Sequence, residues 1–267
     1  MKKILILGHR GMLGRAVYHH FSKNSNFEIL TVPEGVRWPS QEFKDVLDGA
    51  DWIINGIGAI PQRTPSKADL FSVNTELPIY LLSLGKKVIH AATDCEYSGK
   101  IELGEYYEIT DYEDAYDDYG ISKKLVTILA KNSYIPSFNI IRTSIIGLEE
   151  STSFSLLNWA VFQFHKQENI KGFSNHYWNG ITTLEWAKVA EEIIKLDLEH
   201  AVFVQPTIET LSKYELLTLI KEVFTPGSTS IIEKVESDKF QNKSLKPNAQ
   251  VNPIKVQLEE LKEWLFA

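Results

Sequence analysis

Short apolar runs alternate with helically spaced segments through the first half of this chain. Lys3 to Leu7 is an apolar run of strand length that meets a glycine-rich turn, and Met12 to Phe21 then has the spacing of a helix. Phe27–Val32, Trp52–Asn55, Val88–Ala91 and Phe138–Ile141 repeat the strand pattern. Between them Gln41–Leu47, Asp69–Leu84 and Tyr119–Lys131 read as helices. Strands buried on both faces show as unbroken apolar runs, and their alternation with helices predicts an α/β fold around a parallel, doubly wound sheet.

Past about Gly147 the rhythm changes. Ser153–Lys166 is aromatic-rich and helical, while Thr182–Leu196 is amphipathic, with Thr182 or Thr183 placed as N-cap and Glu185 for a capping box. Ser212–Phe224 repeats that design with Glu215, until Pro226-Gly227 stops it. A short strand at Ile231–Val235, a polar loop through Pro247 and a helix at Pro253–Leu265 follow. The expectation is a doubly wound domain over residues 1–147 and a smaller cap over 148–267, some of whose elements return to the first sheet.

Composition narrows the classes. The 267 residues carry 28 Lys and Arg against 35 Asp and Glu, a formal charge of −7, which argues against nucleic acid or an anionic membrane as the main partner. No uncharged apolar run approaches the roughly 18–20 residues of a membrane span. The run after Met1-Lys2-Lys3 ends at Gly8-His9-Arg10, too soon for a secretory signal. One cysteine, Cys95, excludes an intrachain disulfide framework and four-Cys zinc sites. A soluble protein of a reducing, cytoplasmic compartment is expected.

The turn Gly8-His9-Arg10-Gly11-Met12-Leu13-Gly14 spaces its glycines as G-x-x-G-x-x-G, directly after a strand and opening a helix. That arrangement allows close backbone approach to a pyrophosphate, whose charge is met by helix N-terminal amides. A carboxylate for an adenosine ribose is expected about 20 residues on, where Glu34 is only a weak candidate. Arg10, with Arg37, is placed instead to meet a 2′-phosphate, favouring NADP(H) over NAD(H). Solvated arginines are the bland alternative.

Tyr119-Gly120-Ile121-Ser122-Lys123 puts a phenol and an ammonium four apart on one helix face. A nearby ammonium is expected to lower the phenol pKa from about 10 and make it a usable general acid. The fourth strand ends in His90-Ala91-Ala92-Thr93-Asp94, which sets Thr93 at the carboxyl edge of the sheet, where such folds bind ligands.

The glycine turn, Asn55-Gly56-Ile57-Gly58-Ala59, Asn74, Thr93-Asp94, Tyr119 with Lys123, and Ile141-Arg142-Thr143-Ser144 together resemble the extended short-chain dehydrogenase/reductases. More narrowly, Thr93-Asp94-Cys95-Glu96-Tyr97-Ser98-Gly99 is similar to the T-D-x-V-F-x-G segment of the dTDP-4-dehydrorhamnose reductase branch. Trp178-Asn179-Gly180-Ile181-Thr182-Thr183 is similar to its G-x-T-T element. The resemblance implies a Rossmann-type fold and nicotinamide-dependent reduction of a 4-keto group on a nucleotide-activated deoxysugar. By it Tyr119 donates the proton, Lys123 tunes the phenol and holds the nicotinamide ribose, and Thr93 orients the ketone. Gly8, Arg10, Gly11, Met12, Leu13 and Gly14 would line the pyrophosphate, Gly58 and Ala59 the adenosine half, and Asn74 the nicotinamide side. Asp94, Arg142, Trp178 and Thr183 would meet the sugar nucleotide.

Two departures stand out. Glu96 occupies a position that is aliphatic in the branch, and Cys95 replaces the glutamate that follows Thr-Asp in 4,6-dehydratases, so simple reduction is favoured over dehydration. Glu96 itself stays open as a substitute carboxylate. The alternatives are a nucleotide-sugar epimerase of the same fold and a non-catalytic NADP-binding subunit.

Other features have plainer readings. Glu102 to Asp118 holds eight acidic residues and no basic one, a stretch read as solvated loop before a magnesium site or a subunit contact. His19-His20 are read as surface or packing residues, Cys95 as small and buried, and Lys243 and Lys246 as loop lysines rather than phosphate ligands. Phe154, Trp159, Phe162 and Phe164 are read as core, with a homodimer face or a base-stacking wall as the alternatives. No metal is called for.

Overall fold

In a computed structural model, residues 1–64, 66–133, 135–149 and 155–266 are described. The chain runs β1 (Lys2–Leu7), α1 (Met12–Ser22), β2 (Phe27–Thr31), α2 (Gln41–Val46), β3 (Trp52–Asn55), α3 (Lys67–Phe71), α4 (Leu77–Ser83), β4 (Lys87–Ala92), α5 (Asp118–Ser133) and β5 (Phe138–Arg142). It continues as β6 (Ile145–Ile146), α6 (Leu156–His165), β7 (Ile170–Phe173), β8 (His176–Trp178), β9 (Ile181–Thr182), α7 (Thr183–Leu196) and β10 (Phe203–Val204). Last come β11 (Leu211–Ser212), α8 (Lys213–Phe224), β12 (Ile232–Val235), β13 (Gln241–Asn242) and α9 (Ile254–Phe266).

The first compact unit comprises Met1–Ser98, Tyr112–Arg142 and Trp186–Val204. Its sheet has the order β10-β5-β4-β3-β1-β2, and every neighbouring pair is parallel. The apolar runs explain this. Leu5, Leu7, Ile53, Val88, Phe138 and Ile140 enter one core with Phe43, Leu77, Leu81 and Val126 from the helices, while Ile4, Ile6, Ile54, Ile89 and Ile141, alternate residues of the same strands, are equally buried. This is the Rossmann-type arrangement. The strand order reverses at β1, so β2 and β3 leave it on opposite sides and open a crevice at their carboxyl ends.

The Asp69–Leu84 helix is interrupted: α3 passes through a π turn, Ser72–Glu76, into α4. His20 lies on α1 and bonds Glu191 of α7 at 2.7 Å, which makes it a packing residue with an acid partner.

The second unit comprises Gly99–Asp111, Thr143–Glu185 and Gln205–Ala267. Here β8 pairs antiparallel with β11 and parallel with β13, β7 pairs with β12, and β6 with β9. Ser212 and Glu215 form the expected capping box of α8, and Thr182 Oγ1 accepts from Glu185 N at 3.2 Å at the start of α7. Leu157, Ala160 and Phe164 are the buried face of α6, whereas Phe162 is exposed; Phe154 lies outside the described residues. No helix of the described residues is long and apolar enough to cross a membrane.

Candidate active site

The glycine turn is shaped by steric necessity. Gly8 has φ +76°, a left-handed conformation that side chains rarely adopt, and Gly11 N donates to Gly8 O at 2.8 Å. A Cβ on Gly14 would stand 2.1 Å from Gly8 O, so α1 can approach β1 this closely only with glycine there. Gly11 is the N-cap of α1 without any side-chain cap, and no acid stands in the first turn. The amides of Met12 and Leu13 therefore lie in a positive helix end with no carboxylate to neutralise it, which suits a pyrophosphate. Gly14→Ala is expected to cost about 1–3 kcal/mol of stability, as overpacking does, and to weaken cofactor binding; thermal unfolding with and without cofactor measures both.

Beside the turn lies a cavity of about 300 Å³, lined by Gly8, Arg10 and Gly11 on one side and by Val32, Trp38 and Phe43 among others. Trp38 packs against Tyr80 with ring centroids 5.2 Å apart, and its indole N–H donates to Ser72 Oγ at 3.3 Å. An apolar pocket with an indole wall suits a flat heteroaromatic ring. The sequence pattern had no signal for Trp38, which follows the second strand in an irregular segment. Arg10 and Arg37 both line the cavity, but Arg10 is paired with Glu34 at 3.0 Å and Arg37 donates to Val36 O at 2.9 Å.

At the end of β3, Asn55 Oδ1 accepts from Ile57 N at 3.1 Å. Asn74, held in the π turn, accepts from Ala59 N at 2.8 Å and donates to Ala59 O at 2.9 Å and Ser122 Oγ at 3.1 Å. Both amide hydrogens are thus spent on protein. Asn74, expected on the nicotinamide side, ties the Gly58-Ala59 loop to α5.

Thr93, Tyr119 and Lys123 are brought together. Thr93 caps the tight turn Asp94–Glu96, accepting from Cys95 N at 3.2 Å, and its hydroxyl donates to Asp94 Oδ1 at 3.1 Å. It stands in hydrogen-bond reach of the Tyr119 phenol. Lys123 is buried, with Nζ donating to Ala91 O at 2.8 Å. The electrostatics correct the sequence expectation. Burial, reinforced by Cys95 and Asp94, pushes the phenol above its ordinary value despite the Thr93 hydrogen bond. Burial also brings Lys123 down to about 8. The pair is therefore a phenol that keeps its proton beside a weakened ammonium, and burial makes that phenol a poorer acid than an exposed tyrosine.

A profile described as the NAD dependent epimerase/dehydratase family matches residues 4–189. The chain belongs to this family. It is accordingly an NAD(P)-dependent oxidoreductase of the extended short-chain dehydrogenase/reductase type. Among solved structures it is similar to dTDP-4-dehydrorhamnose reductase from Bacillus anthracis in complex with NADP, with TM-score 0.84 and 14% identity over 98% of this chain and 99% of that one. The Clostridium acetobutylicum dTDP-4-dehydrorhamnose reductase gives TM-score 0.78 and 18% identity over 99% and 100%. A Bacillus anthracis dTDP-glucose 4,6-dehydratase in complex with NAD gives 0.77 and 13% over 100% and 97%. No curated protein matches in sequence.

Within this family frame the remaining expected site residues are placed differently. Arg142 is 0% exposed and donates to Glu96, Tyr97 and Glu113, so the expected sugar-nucleotide contact is corrected: its guanidinium is consumed inside the first unit. Burial works against that charge, but Glu96, Tyr97 and Glu113 outweigh it and hold the group firmly protonated. Glu96 is equally sheltered, which removes it as a substitute catalytic carboxylate; burial raises its pKa against the pull of Arg142. Glu113 likewise departs from the solvated loop read for its acidic stretch. Asp94 is buried beneath Thr93. Trp178 and Thr183 belong to the second unit; both are buried, Lys213 Nζ lies 5.4 Å from the Trp178 ring centroid, and the Thr183 hydroxyl has no hydrogen-bond partner among the described residues. No His, Cys, Asp and Glu cluster of metal-binding type occurs among the described residues.

Proposed function

We propose that this protein reduces the 4-keto group of a nucleotide-activated deoxysugar, preferring NADP(H), as a dTDP-4-dehydrorhamnose reductase-like enzyme of surface-polysaccharide precursor synthesis. The observation that carries the reading is the convergence of Thr93, Tyr119 and Lys123 on the carboxyl edge of β4, with the phenol protonated. A nicotinamide cofactor, when bound, would supply the hydride for the carbonyl carbon. The chain does the rest. Thr93, on turning its hydroxyl hydrogen from Asp94 to the substrate, hydrogen-bonds the ketone oxygen, Tyr119 delivers a proton to it, and Lys123 compensates the charge left on the phenol. Met12 and Leu13 amides would hold the pyrophosphate, and the Trp38 wall would hold the adenine. Arg10 exchanges Glu34 for a 2′-phosphate, with Arg37 beside it.

Dehydration needs a carboxylate to take a carbon-bound proton, and Glu96 is locked onto Arg142. This supports simple reduction. Purified protein and NADPH, then NADH, mixed with a panel of nucleotide 4-keto-6-deoxysugars and followed by cofactor absorbance, test the reading. Loss of absorbance with one sugar is expected, faster with NADPH. Cofactor binding without oxidation on any sugar would replace the reductase with the epimerase or the non-catalytic subunit.

A further inference from the structure

The groups buried around Arg142 touch no reacting atom, although the Glu96 charge raises the pKa of both Tyr119 and Lys123, and their placement follows the site. Arg142, the last residue of β5, gives Nε to Glu96 at 3.0 Å, one terminal nitrogen to Tyr97 Oη at 2.5 Å and the other to Glu113. Glu96 also accepts from Thr127 Oγ1 at 3.0 Å, and Lys131 reaches Glu113. The guanidinium carbon lies 4.9 Å from the Tyr97 ring centroid and 4.6 Å from that of Phe203. Two acids thus face two bases, with Arg142 and both carboxylates closed to water and Lys131 at the partly exposed edge.

Stability alone does not account for it. Removing such charges from water costs several kcal/mol per ion, and well-packed apolar groups often serve as well or better. What the cluster supplies is a fixed geometry, and the segments it joins are those that carry the catalytic groups. Glu96 ends the tight turn that Thr93 caps, and its carbonyl accepts from Ala115 N at 3.0 Å. Glu113 lies on the approach to Tyr119. Thr127 and Lys131 continue, one and two turns on, the face of α5 that begins at Lys123. Gly120 permits the close fit, since a Cβ there would stand 2.4 Å from Cys95 O.

We propose that Glu96, Arg142 and Glu113 form a positioning clamp that fixes the Thr93 turn on the N-terminal end of α5 and so sets the reach between the Thr93 hydroxyl and the Tyr119 phenol. The clamp's catalytic consequence rests on the function proposed above; its structural content does not. These are positioning residues: none touches the reacting atoms.

Glu96→Gln keeps the shape and removes the charge. Hydrogen exchange of the full-length protein is expected to show amides of residues 95–98 and 118–121 exchanging at least about tenfold faster in this variant, the effect of weakening one charge-assisted bond, with β1 and α1 unchanged. With a sugar that the parent reduces, kcat is expected to fall at least about tenfold at unchanged sugar KM and NADPH Kd, as misplacement of reacting groups does. Exchange that is unchanged, or faster everywhere alike, overturns the clamp. So does local loosening with kcat intact. If the parent reduces no sugar, the functional reading fails while the exchange experiment still decides the clamp. Thr127→Val, which removes one neutral donor to Glu96, is the second variant should Glu96→Gln not fold; the same local pattern at smaller amplitude is expected, and its absence overturns the proposal.

Discussion

A Tyr119→Phe variant is expected to fold and to bind cofactor like the parent, yet to turn over at least about a hundredfold more slowly, the lower range for loss of a general acid. The ring stays and only the hydroxyl goes, so packing at the start of α5 is preserved. Thr93 remains to orient the ketone once its hydroxyl turns from Asp94 Oδ1, but an aliphatic hydroxyl is too weak an acid to replace the phenol. Single-turnover oxidation of NADPH, with cofactor affinity measured separately, checks this. Equal rates in parent and variant would take Tyr119 out of the chemistry.

Lys123→Met is expected to stabilise the protein at neutral pH while abolishing most of its activity. The Lys123 ammonium titrates at about 8 when folded against 10.5 in the ordinary case, a gap corresponding to about 3 kcal/mol. The sign follows from proton counting. A folded-state pKa lower than the unfolded one means that folding weakens the hold on the proton, so below pH 8 the full penalty applies. Between pH 8 and 10.5 the unfolded chain binds more protons, and the parent gains stability as pH rises. Methionine fills similar space without charge but removes the Lys123 bond to Ala91 O, about 1 kcal/mol in the other direction. A net gain of about 2 kcal/mol near pH 7 is therefore expected in urea unfolding, shrinking and then reversing as pH approaches 10. A variant no more stable than the parent at pH 7 would show that Lys123 pays no burial penalty.

The parts of this fold legible in the sequence are those where one physical force dominates a contiguous stretch. β1, β3, β4 and β5 are buried on both faces and show as apolar runs, and Gly8, Gly11 and Gly14 mark backbone that no side chain can follow. Ser212 and Glu215 announce a helix start because cap and partner are local. The short strands β6, β9, β10 and β11 were illegible, since their pairing is decided by distant backbone rather than by side-chain period. Glu96 and Glu113 looked like an oddity and a solvated charge for a related reason: their partner Arg142 is far along the chain, and only the fold brings them together. Arg142 matched a motif and so was assigned outward, when the motif position faces inward.

The π turn at Ser72–Glu76 has a consequence for how this chain tolerates length changes. A helical residue accounts for about 100° of rotation, so deleting Val73 would restore regular winding between α3 and α4 at the price of turning one helix against the other. Asn74 would then swing off Ala59 and Ser122, or Leu77 and Leu81 off the core, but not both could stay in phase. The irregular turn is thus a phase adjuster, and a shortened, more ideal helix here would be a poorer component of the same protein.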